Sequence, residues 1–147
     1  MPKFICLVVI LCLGALSGAE GEPLRPKPLL PEDFVWSGPP NIPELKGAWL
    51  QGAADSESGL YVLRVQLAEG GLIPPHSHPD ERHSTVLSGT LYVGFGEVFD
   101  EERVVAIPTG AVYLAPANVP HYVWARDGDV VYQEMGMAPT ATSFLTP

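Results

Sequence analysis

The chain has 147 residues, with 17 acidic side chains against eight basic ones and a formal net charge of −9 at neutral pH. A surface of that sign repels phosphate backbones and anionic lipid, which argues against nucleic acid and membrane surfaces as partners. The length suits one domain with a modest core, and 46% hydrophobic residues suffice to fill it.

The first predicted element is a leader. Met1-Pro2-Lys3 carries one positive charge, Phe4 through Leu16 is apolar or small without interruption, and Ser17-Gly18-Ala19 supplies small residues for a signal peptidase. This pattern predicts a secretory signal peptide over residues 1–19 and a secreted or periplasmic product. A bilayer core needs roughly 20 apolar residues, so the run is too short for a comfortable permanent span, and no membrane contact is expected after cleavage. Cleavage removes Cys6, Cys12 and Lys3, leaving no thiol chemistry and a formal charge one unit more negative.

Residues 20–45 form the next predicted element, an extended arm. Seven prolines stand between Glu20 and Pro43, and each removes a backbone donor and disfavours helix in the residue before it. Leu29, Leu30, Phe34, Val35 and Trp36 give the arm apolar groups with which to pack along a domain.

Residues 46–147 read as an all-β domain. Tyr61, Leu63, Val65 and Leu67 alternate with Val62, Arg64 and Gln66; Thr85 to Ser88 and Thr90 to Val93 flank Gly89; Ala111 to Leu114 follows a Pro108-Thr109-Gly110 turn. Asp127-Gly128-Asp129 predicts a hairpin tip joining His121–Trp124 to Val130–Gln133. Beyond residue 45 no window sustains a helical period for three turns without glycine or proline, so a barrel or jelly roll is expected.

Three of the four histidines, His76, His78 and His83, fall within eight residues. Alternate side chains of a strand share one face, so the imidazoles of His76 and His78 can point the same way and grip one cation. The context of this pair resembles the cupin superfamily, in particular a small single-barrel, type-2-like member. Gly70, His76, His78 and Gly89 fall on the spacing of the first cupin motif, and Gly110, Pro116 and His121 on that of the second.

The resemblance implies a single cupin jelly-roll barrel after the proline-rich arm, with His76, His78 and His121 as metal ligands. It also implies a homodimer. Three positions depart from the motifs. Arg82 stands where the family usually has a glutamate ligand, Asn118 where a turn glycine is usual, and Ala125 where asparagine is usual. A guanidinium stays protonated at usable pH and cannot ligate a cation.

Three readings of the Arg82 slot therefore stay open: a three-histidine site with Arg82 nearby as substrate anchor, a one-residue bulge bringing Glu81 or His83 inward, or Arg82 binding an anionic substrate in a site with little metal. Arg82 and Glu81 are the candidate catalytic residues, as anchor or acid/base. Tyr92, Tyr113, Tyr122, Trp124 and Gln133 are candidates for the pocket lining.

An all-imidazole donor set favours a divalent transition metal: iron, manganese, zinc, nickel or copper. Two functions are consistent with it. One is a metal-dependent enzyme, dioxygenase-, isomerase- or lyase-like, acting on a small oxygenated or anionic organic molecule; the other is a non-catalytic cupin that binds a metal or small molecule. Because only neutral imidazole ligates, occupancy is expected to fall as the pH drops through the ordinary histidine range, near about 6.5. Neither a serine-nucleophile elbow nor a phosphate loop is present, so those chemistries have no support.

Overall fold

The structure is a computed structural model describing residues 28–145. The expected leader and the start of the arm lie outside the described residues. Ten strands follow in chain order: β1 (Leu45–Gln51), β2 (Gly59–Leu67), β3 (Leu72–Ser77), β4 (Arg82–Ser88), β5 (Thr90–Phe95), β6 (Val105–Pro108), β7 (Val112–Ala115), β8 (His121–Trp124), β9 (Val130–Ala138) and β10 (Ser143–Phe144). Among the described residues the helical pieces are 3₁₀ turns at Pro31–Asp33 and Glu101–Arg103, and none is long and apolar enough to cross a membrane. The fold is all-β, as the alternation of the sequence predicts.

The strands make two antiparallel five-stranded sheets, ordered β1-β2-β9-β4-β7 and β10-β3-β8-β5-β6. Alternation along β2 buries Tyr61, Val65 and Leu67 on one face, and alternation along β9 buries Val130, Tyr132 and Glu134. Those faces meet Ile73, Leu91, Val93 and Val123 of the other sheet to form the core. Each fully buried valine or leucine side chain contributes roughly 1.5–3 kcal/mol relative to exposure. The described part of the arm packs along the first sheet, as its apolar residues suggest. Ser37 exchanges backbone hydrogen bonds of 2.9 and 2.7 Å with Gly47, Ile42 joins the core, and the Arg64 guanidinium lies over the Phe34 ring.

One expectation is overturned. The stretch His121–Trp124 does not form a hairpin with Val130–Gln133: β8 pairs with β3 and β5, whereas β9 pairs with β2 and β4. The turn at Asp127-Gly128-Asp129 carries the chain from one sheet to the other. Turn residues encode a reversal but not which sheet receives the next strand. Here Val123 and Tyr132 must cover the same core from opposite sides. Gly89, between β4 and β5, makes a second such crossing. Its φ of +78° suits glycine, and a Cβ there would collide with the Asp129 carbonyl.

Candidate metal centre

Two neighbouring strands of the second sheet build the site. His76 of β3 and His121 of β8 are direct register partners, so both side chains stand on one face at cross-strand distance. His78 follows the end of β3 and returns to the same face, with Ser77 turned between. Asn118 completes the juxtaposition: its backbone N–H donates to the His78 carbonyl at 2.7 Å, from a left-handed φ of 62°. Asparagine is one of the few residues besides glycine that tolerates this conformation, so its place in the motif is structurally sound. Ala125, the third departure, lies fully buried just past β8.

The three rings are almost completely enclosed, with centroid separations of 4.8 Å (His76 to His78), 4.3 Å (His76 to His121) and 5.1 Å (His78 to His121). One nitrogen of each comes within 4.8 Å of the others. In every ring Nδ1 faces a backbone carbonyl: Pro74 for His76 at 2.7 Å, Ala141 for His78 at 2.8 Å and Val119 for His121 at 3.1 Å. A carbonyl can only accept, so each Nδ1 carries the proton and donates it, leaving each Nε2 with a free lone pair. His78 Nε2 is buried without any hydrogen-bond partner. A buried acceptor left unpaired costs about 1–3 kcal/mol, and a cation would relieve that cost. The donor set fits a transition metal of the expected kind.

The same local device holds His76 and His121. A proline, Pro75 or Pro120, precedes each histidine, and the ring bonds the carbonyl of the residue before that proline. The residue before a proline is confined to extended backbone, which presets the direction of its carbonyl.

Burial disfavours the charged form of all three rings. It lowers the His76 and His78 pKa to about 3, with neighbouring rings and the Arg82 cation adding to the effect, and it lowers that of His121 as well. Loss of metal is therefore not expected at the ordinary histidine pKa: the folded site keeps its lone pairs to a lower pH.

Opposite the triad stands a polar cluster on the first sheet and its adjoining loops. Arg82 of β4 points inward and is 6% exposed. Its Nη1 donates to Glu134 Oε2 at 2.8 Å, and its Nη2 to Thr140 Oγ1 at 2.8 Å and to the Ala141 carbonyl at 3.4 Å. Asp80 lies 3.7 Å from Arg82 Nε and accepts hydrogen bonds from the hydroxyls of Tyr61 and Thr140. Burial raises the pKa of Glu134, partly opposed by the Arg82 charge, and raises those of Tyr113 and Tyr132, whose hydroxyls stay protonated. Between the two groups lies a cavity of about 360 Å³ lined by His76, His78, Arg82 and Glu134 and by Trp49, Leu63, Val65, Ile73, Tyr113, Val123, Tyr132 and Phe144.

The open readings of the Arg82 slot divide accordingly. No bulge brings Glu81 or His83 inward. Both side chains are about half exposed and pair with each other at 3.2 Å outside the barrel, because unslipped alternation sends the neighbours of an inward Arg82 outward. Glu81 is thus corrected as a pocket residue. Of the aromatic candidates, Tyr113 lines the cavity. Tyr92 bonds Asp127, the Tyr122 hydroxyl donates to the Asp100 carbonyl, Trp124 packs on Phe99, and Gln133 accepts from Arg64.

Sequence reasoning missed Glu134, although alternation from Val130 and Tyr132 places it inward. Asp80, in the loop before β4, belongs to the same cluster. Its hydrogen bonds come from the distant Tyr61 and Thr140 hydroxyls, pairings that no local signal marks.

Comparison with known proteins agrees with this architecture. The cupin domain family matches residues 63–132. Germin-like protein 3-1 of Oryza sativa subsp. japonica is 35% identical over 70 residues, 47% of this chain but 31% of that protein. The match thus spans about a third of the relative's length. Among solved structures, the polyketide cyclase RemF of Streptomyces resistomycificus superposes with a TM-score of 0.68 at 16% identity, covering 84% of this chain and 87% of the cyclase. An RmlC-like cupin of Shewanella frigidimarina gives 0.59 at 15% identity, covering 74% and 87%. These likenesses show the cupin fold, and together with the family match they support the cupin superfamily.

Proposed function

We propose that this chain is a secreted or periplasmic metal-binding cupin. In this reading it is a metal-dependent enzyme, dioxygenase-, isomerase- or lyase-like, acting on a small oxygenated or anionic organic molecule held in the barrel. The observation that carries the reading is the convergence of three imidazoles, each with Nδ1 tied to a carbonyl and Nε2 left free. His76, His78 and His121 would hold the ion. A bound transition metal supplies Lewis acidity or, if redox-active, the capacity to activate oxygen. The protein's own contribution is separate. Trp49, Leu63 and Val65 exclude water from the reacting end of a ligand, and Tyr113 and Tyr132 present neutral hydroxyls. Glu134, bonded through Oε2 to Arg82, keeps Oε1 as the atom on which a proton can be held or surrendered.

A non-catalytic binding role is the second reading, and a lining without any proton donor would favour it. The carboxyl of Glu134 in the cavity wall weighs toward the enzyme. The deciding experiment is elemental analysis of metal retained by the purified protein beside His76→Ala and His121→Ala. Stoichiometric metal in the wild type and background levels in both variants are expected. Equal trace metal in all three would end the metal reading.

A further inference from the structure

This inference rests on the function just proposed and narrows its substrate class. Arg82 is the cation nearest the triad in the cavity, and a free guanidinium there would select a carboxylate or phosphate. It is not free. Glu134 neutralises it at 2.8 Å, Asp80 adds a second carboxylate at 3.7 Å, and Thr140 and the Ala141 carbonyl take Nη2. Of its five N–H groups three are used in this way; Nε, which faces Asp80, is buried without a hydrogen bond, and the second Nη1 hydrogen is the other donor left. The cation is already engaged by two carboxyl groups, and a ligand anion would have to displace one of them. The displaced carboxylate would be left buried without its cation, which opposes binding of an anion.

Most of the remaining wall is apolar or aromatic, with Ser37 and Thr142 as its polar members. Trp49, Leu63, Val65, Tyr113, Val123 and Tyr132 face the cavity, and its volume of about 360 Å³ sits at the lower end of small-molecule sites. We propose that the ligand is an uncharged, largely apolar ring compound carrying a hydroxyl or carbonyl oxygen, which reaches the triad while the ring lies against the aromatic wall. Arg82 then acts as a positioning residue that fixes the Glu134 carboxyl and does not anchor an anion. Of the two classes left open by the sequence, the oxygenated one is retained and the anionic one dropped.

The test compares two probes with the same rings, naphthol and naphthoate, by titration calorimetry at neutral pH on the purified protein with and without zinc. Naphthol is expected to bind at least about tenfold more tightly than naphthoate, a difference of about 1.4 kcal/mol. Glu134→Gln, which uncovers the guanidinium, is expected to narrow or reverse that preference. Should the variant not fold, the wild-type preference alone decides. A protein that retains zinc but prefers naphthoate, or binds neither probe, overturns this inference and leaves the metal reading in place. A protein that retains no zinc yet takes naphthol over naphthoate supports this inference and overturns the metal reading.

Discussion

The two walls of the cavity are built on opposite principles. On the second sheet the imidazoles of His76 and His121 are oriented by carbonyls two residues back in their own chain, each across a proline. On the other wall, Arg82 and Glu134 of the first sheet and Asp80 and Thr140 of the adjoining loops are joined by side-chain hydrogen bonds that span 52 to 60 residues. The first wall is neutral and made costly by the unpaired Nε2 of His78, whereas the second is charged and compensated internally. Local backbone chemistry can thus prepare a metal site, while charge compensation inside a barrel waits for the whole fold.

The largest expected effect separates the walls by readout. Removing His78 should abolish metal retention, weakening affinity by more than the 10–100-fold typical of losing a supporting group behind a ligand. His78→Ala measured by metal competition tests this, and affinity within tenfold of wild type would contradict the division of labour. Arg82→Met should do the converse. Metal is retained, but Glu134 and Asp80 are left buried without their cation, and stability should fall by about 3–5 kcal/mol in denaturant unfolding. The double variant Arg82→Met with Glu134→Leu should recover part of that loss.

Acid sharpens the same comparison. The folded-state pKa of His76 and His78, about 3, lies below the ordinary 6.5. The unfolded chain therefore binds protons first as the pH falls. The stability contributed by neutral rings is present above about 6.5 and lost progressively between there and 3. Metal-free protein should accordingly show a falling unfolding temperature below about pH 6.5, while the histidine NMR signals of the remaining folded population stay those of neutral rings. Imidazolium signals from residues 76 and 78 in folded protein near pH 6 would contradict the burial argument. The smallest effect belongs outside either wall: His83→Ala and Glu81→Gln should change stability by less than about 0.5 kcal/mol and leave metal content unaltered, since their pair is solvent-exposed.

Much of one wall was legible in residue order. The His76 and His78 spacing, the Pro75-His76 and Pro120-His121 steps and the alternation of β2 act over a few residues, and the backbone obeys them wherever the strand lies. The slot of Arg82 was legible as a departure, and parity alone sends it inward with Glu81 and His83 outward. The partner of Arg82 was not legible. Glu134 meets it only because β9 pairs with β4 and sets Glu134 opposite Ser84.

By itself, then, the sequence determined an all-β chain with the rings of His76 and His78 on one face and tolerance for a left-handed turn at Asn118. Periodicity, proline and short-range sterics are properties of neighbouring residues. Only the tertiary structure decided that the turn at residues 127–129 leaves its sheet, that His121 lies in register with His76, and that the one cation of the cavity is already compensated. Each of those depends on which strands pair across long stretches of chain, a choice made by burial of the whole core and by no residue alone.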